Sequence, residues 1–199
     1  GALYVGCAGG AGINITVNLN YETLPSDFAG FEVKLQGLKG GHSGIDIQLQ
    51  RGNAVKLLAR ALVATKRGVD FKLAEIVGGN LHNAIPREAF AKIAVSQSDK
   101  SAFENELKTQ IDAIKDEFKQ VEPDMNLALS SGNIGQVFKA ETEATILHLL
   151  NALPHGVMAM SYDIPDLVET STNLATVKID NSEMVIHVSN RSSVDSAIQ

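Results

Sequence analysis

The chain has 199 residues, 44% hydrophobic and 20% charged, which is enough length and apolar content to bury a core and argues against disorder. A net charge of −6, with no dense Lys/Arg cluster, argues against a nucleic-acid partner, and no apolar run reaches membrane-spanning length. The single cysteine, Cys7, leaves no intrachain disulfide framework and suits a reducing, cytoplasmic setting.

Residues 13–21 (INITVNLNY) alternate and predict a half-buried strand; Leu24-Pro25-Ser26-Asp27 interrupts before a second strand at 29–37 (AGFEVKLQG). A glycine-rich loop, GLKGGHSGIDI at 37–47, carries His42. Ala54, Leu57, Leu58, Ala61, Leu62 and Thr65 then recur at helical spacing, with a basic end and Gly68 placed as C-cap. Residues 69–77 and 88–95 alternate again, so 69–95 reads as a hairpin whose tip holds Asn83. Ser101-Ala-Phe-Glu104 has the form of a capping box opening a helix with Phe103, Leu107, Ile111, Ile114 and Phe118 on one face. A strand at 125–130, a helix near 137–152 and strands near 167–179 and 183–191 complete the chain.

The expected fold class is therefore α+β: an antiparallel sheet with helices on one face. Residues 29–130 read β-α-β-β-α-β, a ferredoxin-like unit, and the remaining elements are expected to form a second, smaller sheet and helix layer. The start at Gly1 without methionine, and the stop at Gln199, read as a piece cut from something longer.

Chemistry-bearing motifs are few. GCAGGAG at 6–12 lacks the third glycine and the following helix of a dinucleotide site, so it reads as a turn or hinge. The five histidines (42, 82, 148, 155 and 187) form no His-x-His, His-x-Asp or His-x-x-x-His pair, and Asp116-Glu117 reads as a solvated helix face. No Gly-x-Ser-x-Gly is present. His42, Asn83 and Arg191 remain. Each has a plain alternative: a loop histidine, a turn asparagine and a solvent-facing cation at a strand end. His148 and His187 read as packing or surface residues, and His82 and His155 have no assigned part.

The runs GLKGGHSGIDI and GNAVKLLARAL, then GGNLHNAIPREAFA, HGVMAMSYDIPDLVETSTNLATV and IHVSNRSSVDS, with YVGCAGG near the start, resemble the aminoacyl-histidine dipeptidase branch of the zinc metallopeptidases. The wider family includes carnosinases, aminoacylase and succinyl-diaminopimelate desuccinylase. The resemblance implies a catalytic domain with two zinc ions, interrupted by an inserted lid or dimerisation domain, and this chain is similar to that insertion nearly alone. It implies that the zinc ligands belong to the absent catalytic domain, with no metal expected in this piece and no activity of the piece by itself. It divides the chain into a hinge at 1–12, a lid at 13–191 and a return segment at 192–199. His42 matches the lid histidine that steadies the oxyanion, Asn83 the asparagine that hydrogen-bonds substrate, and Arg191 the arginine that holds the substrate carboxylate. The implied partners are the chain's own catalytic domain, a dipeptide and a second copy in a homodimer, with no nucleic acid or membrane. Two alternatives remain: a non-catalytic dimerisation module in which His42 is incidental, or the lid of a relative acting on other peptides or N-acyl amino acids.

Overall fold

Burial every second residue builds the strands, and burial every third or fourth builds the helices, across residues 8–198, the part that this computed structural model describes. β1 (Gly9–Asn18) turns Ile15 and Val17 toward the core, and β2 (Tyr21–Thr23) follows it. β3 (Phe28–Gln36) buries Phe31, Val33 and Leu35 to 2% exposure or less. The two-residue β4 (Gly41–His42) lies in the glycine-rich loop. α1 (Ala54–Lys66) begins where the Asn53 side chain accepts the Lys56 N–H at 3.2 Å. The helix closes on Arg67, and Gly68, expected as its cap, has no positive φ, so a left-handed cap is not used.

β5 (Lys72–Gly78), β6 (Ala84–Ile85) and β7 (Ala89–Ser96) come next, then α2 (Lys100–Phe118) with Phe103, Leu107, Ile111 and Ile114 buried. The expected capping box is not formed. A 3-10 turn at Gln97–Asp99 already winds the chain, so α2 starts before Ser101, and Ser96 Oγ accepts the Ser98 N–H at 3.3 Å. β8 (Asn126–Ser131), β9 (Gln136–Phe138) and α3 (Ala140–Ala152) follow. The helix expected from 137 starts later, because 136–138 pair with β2 and Phe138 packs on Tyr21 at 5.1 Å between rings. β10 (Gly156–Met160), β11 (Val168–Asp180) and β12 (Glu183–Ser192) end the fold.

β3-α1-β5-β7-α2-β8 forms the expected antiparallel ferredoxin-like unit, in the spatial order β5-β7-β3-β8. The later strands differ from expectation in one respect. They do not close a separate sheet; β11 pairs with β5 at Val177–Gly78, giving eight strands in the order β1-β12-β11-β5-β7-β3-β8 with β10 on β11. Glycines permit the joint: a Cβ on Gly79 (φ +71°) would run into the Ala175 carbonyl. The order is mirrored about this joint, since α3-β11-β12 with β1 outside repeats α1-β5-β7 with β3 outside. α1 lies over β3, β5, β7 and β11 with α2 and α3 both packed against it, so one core serves both halves.

Gly9–Gly12, within the expected hinge, pair with Ser192–Ser189 as the first rungs of β1. Residues 1–7, including Cys7, lie outside the described residues. Among the described residues, no helix is long and apolar enough to cross a membrane.

Candidate functional site

His42 is set by local geometry. Gly41 takes φ +145°, where a Cβ would stand 2.7 Å from Asp46 Oδ2, and this puts His42 opposite Ala84 in the β4–β6 ribbon. The Ser43 N–H donates to the Asn83 carbonyl at 2.9 Å, so the histidine loop and the 79–85 loop are fastened together. The Asp46 carboxylate accepts the His42 N–H at 2.8 Å, and Arg51 Nη1 donates to the Gly40 carbonyl at 2.6 Å. The Gly44 N–H donates to His42 Nδ1 at 3.1 Å. A backbone amide can only donate, so Nδ1 is the acceptor and the ring proton of the neutral imidazole sits on Nε2. The opposite edge of His42 is therefore a hydrogen-bond donor.

Arg191, near the end of β12, stands opposite Gly10 on β1 and Ser171 on β11. It reaches the same loop: a Cβ on Gly44 would lie 2.9 Å from Arg191 Nε and 3.0 Å from Cζ. Nε is buried and has no hydrogen-bond partner among the described residues. The fold thus brings the His42 imidazole and the Arg191 guanidinium to Gly44, and Asn83 joins the same junction through its backbone carbonyl. Asn173, which the sequence reading passed over, fastens the junction from beneath. It is 1% exposed, and its Nδ2 donates to the Ala84 carbonyl at 2.9 Å.

His82 packs edge-on against His187 at 6.4 Å, and His187 Nδ1 meets Asn14 Oδ1 at 2.7 Å. His148 is exposed on α3. His155 is mostly buried behind α1, where Asn53 Nδ2 approaches its Nδ1 at 3.3 Å; burial, helped by the Lys56 ammonium, pushes its pKa down to about 4. A groove of about 1010 Å³ runs past Gly41 and Ile85 with Lys39, Arg87 and Lys178 on its walls, but none of the three candidate side chains lines it. The three candidates gather at the loop junction and not along this groove.

Among the described residues, no group of three or more His, Cys, Asp or Glu stands together to hold a metal ion. The donors present therefore do not fit a zinc pair. Asp116-Glu117 is a solvated face, as read from the sequence: exposed Glu117 accepts from Arg60 at 3.1 and 2.5 Å, and Asp116 pairs with Lys119 at 2.8 Å.

Comparison with known proteins adds three findings. Residues 33–122 match the M20 family described as the peptidase dimerisation domain. Over 197 residues the chain is 39% identical to the cytosol non-specific dipeptidase of Escherichia coli (strain K12), covering 98% of this chain and 41% of that protein. The solved aminoacylhistidine dipeptidase of Vibrio alginolyticus superposes with a TM-score of 0.93 at 35% identity, over 97% of this chain and 40% of that one. The chain spans about two fifths of the length of these relatives.

Proposed function

From the premise that this chain belongs to the M20 peptidases and carries their dimerisation domain, we propose that it is the lid of a longer, zinc-dependent cytosolic dipeptidase cleaving Xaa-His dipeptides. The lid closes over a dipeptide held on a catalytic domain and supplies polar groups, not the hydrolytic centre. His42 presents its Nε2–H to the oxygen that gains negative charge as the peptide carbonyl is attacked, and being fixed by Gly44 it needs no rearrangement at that moment. Asn83 hydrogen-bonds the dipeptide backbone. Arg191 takes the free carboxylate through its two-pronged guanidinium, and the bare Gly10 opposite it leaves room for that approach. The zinc ions belong to the catalytic domain, and no step assigned to these residues runs through them.

What supports this reading is the meeting of three residues, far apart in sequence, around one junction with the imidazole turned to its donor tautomer. In the longer protein, His42→Ala is expected to lower kcat by about a hundredfold or more, the usual effect of deleting one preorganised donor. Zinc content measured on the same sample should stay unchanged. Unaltered turnover would remove the role of His42.

A second reading is favoured by the family's own description: the domain serves self-association and His42 is incidental. It expects the chain to sediment as a dimer and His42→Ala to be silent. Dimerisation alongside a strong His42 effect would mean that one domain does both.

A further inference from the structure

Glu122, just beyond α2, is 2% exposed, and its carboxylate faces two backbone amides. Oε2 accepts the Lys39 N–H at 2.8 Å, and Oε1 accepts the buried Gly52 N–H at 2.9 Å. These amides are the two ends of the loop that carries His42. A buried carboxylate is costly unless its oxygens are hydrogen-bonded, and here both oxygens are satisfied by N–H groups that would otherwise lack these acceptors. An ionised carboxylate offers acceptors on both oxygens and no donor, which is what two converging N–H groups require. Gly52 lets this happen: a Cβ there would stand 2.9 Å from both Leu38 Cδ2 and Leu57 Cδ1. Within the closed loop, Arg51 on Gly40 and Asp46 on His42 carry the constraint inward to the imidazole.

We propose that Glu122 is the positioning residue of His42: its carboxylate closes the 39–52 loop at the base and so fixes where the imidazole stands. The loop closure stands on geometry alone, and its consequence for turnover rests on the function proposed above. Glu122→Gln exchanges one acceptor for an NH₂ facing an N–H, so one end of the loop is released. On this chain, amide hydrogen exchange within 39–52 should quicken roughly tenfold or more, as for loss of a hydrogen bond to a charged group, while β3 and α1 amides keep their rates. In the longer protein, kcat should fall about tenfold with KM within about twofold, and this loss should vanish when His42 is already alanine, because Glu122 acts only through His42. If Glu122→Gln does not fold, Glu122→Asp, one methylene short, should show the same loop-confined exchange. Exchange that is unchanged, or that rises equally everywhere, overturns the proposal. A kcat loss that persists in the His42→Ala background overturns it as well. A silent His42→Ala would instead sink the functional reading and leave the loop exchange to decide the closure.

Discussion

A Cβ on Gly44 would stand 2.9 Å from Nε of Arg191, but the obstacle is a side chain that can swing away. Gly44→Ala should therefore leave the fold almost untouched and displace the guanidinium. In the longer protein, the expected result is a KM for the dipeptide raised about tenfold, the equivalent of one weakened charged contact, with kcat near wild type. Steady-state kinetics beside a thermal melt check both halves of that statement, and an unchanged KM would separate Arg191 from carboxylate binding. At this scale the sequence is informative where glycine gathers. Gly37, Gly40, Gly41 and Gly44 frame His42, and the first three take positive φ. Glu122 is invisible by the same means, because it lies 83 residues from Lys39 and 70 from Gly52, and nothing local requires a carboxylate there. Arg191 is legible only as a cation at a strand end, until the fold lays it against Gly44.

The start of α1 joins three elements through Asn53, which is 2% exposed. Its Oδ1 caps the helix at the Lys56 N–H, and its Nδ2 donates to the Leu174 carbonyl of β11 at 2.8 Å and approaches His155 Nδ1. His155 accepts only while neutral, and Lys56, whose ammonium donates to the carbonyls closing α3, together with Arg51 on the adjoining groove wall, keeps positive charge nearby. With a folded pKa of about 4 against 6.5 for the free group, the unfolded chain binds the proton first as pH falls. Stability is thus full above pH 6.5 and declines from there toward pH 4, by an amount on the order of 3 kcal/mol. His155→Gln should flatten that part of the profile when urea midpoints are compared at pH 7 and pH 5. An unchanged slope would assign the acid sensitivity elsewhere. The long alternating strands and the periodic helices are legible at this scale, because burial repeats along them. β9 and β10 are not: three residues of β9 carry no period, and β10 breaks register on β11 twice. The capping-box pattern at Ser101 misleads because the turn before it already sets the start of α2.

Which strands meet across the molecule is the least legible feature, since a pairing such as Val177 with Gly78 leaves no local pattern. The alternation of β11 and β12 predicts a sheet, and only glycine's lack of a side chain at the joint lets that sheet continue the first one. One consequence bears on assembly: β1 and β8 end the strand path and β10 pairs only with β11, so a second copy adding to the sheet meets one of these three strands. Another consequence is cooperativity. Phe31, Leu58 and Phe103 share one core with Leu174, Val177 and Ile186, so neither half can open without exposing the other. Gly79→Ala tests this directly, because it forces a side chain into φ +71° and against the Ala175 carbonyl at the joint itself. The expected loss is about 2 kcal/mol, taken from both halves together. Under native-state hydrogen exchange, the most protected amides of β3 and of β12 should lose the same opening free energy, and urea unfolding should remain a single transition. A loss confined to β11 and β12, with β3 unaffected, would mean that the joint connects two independent units rather than one.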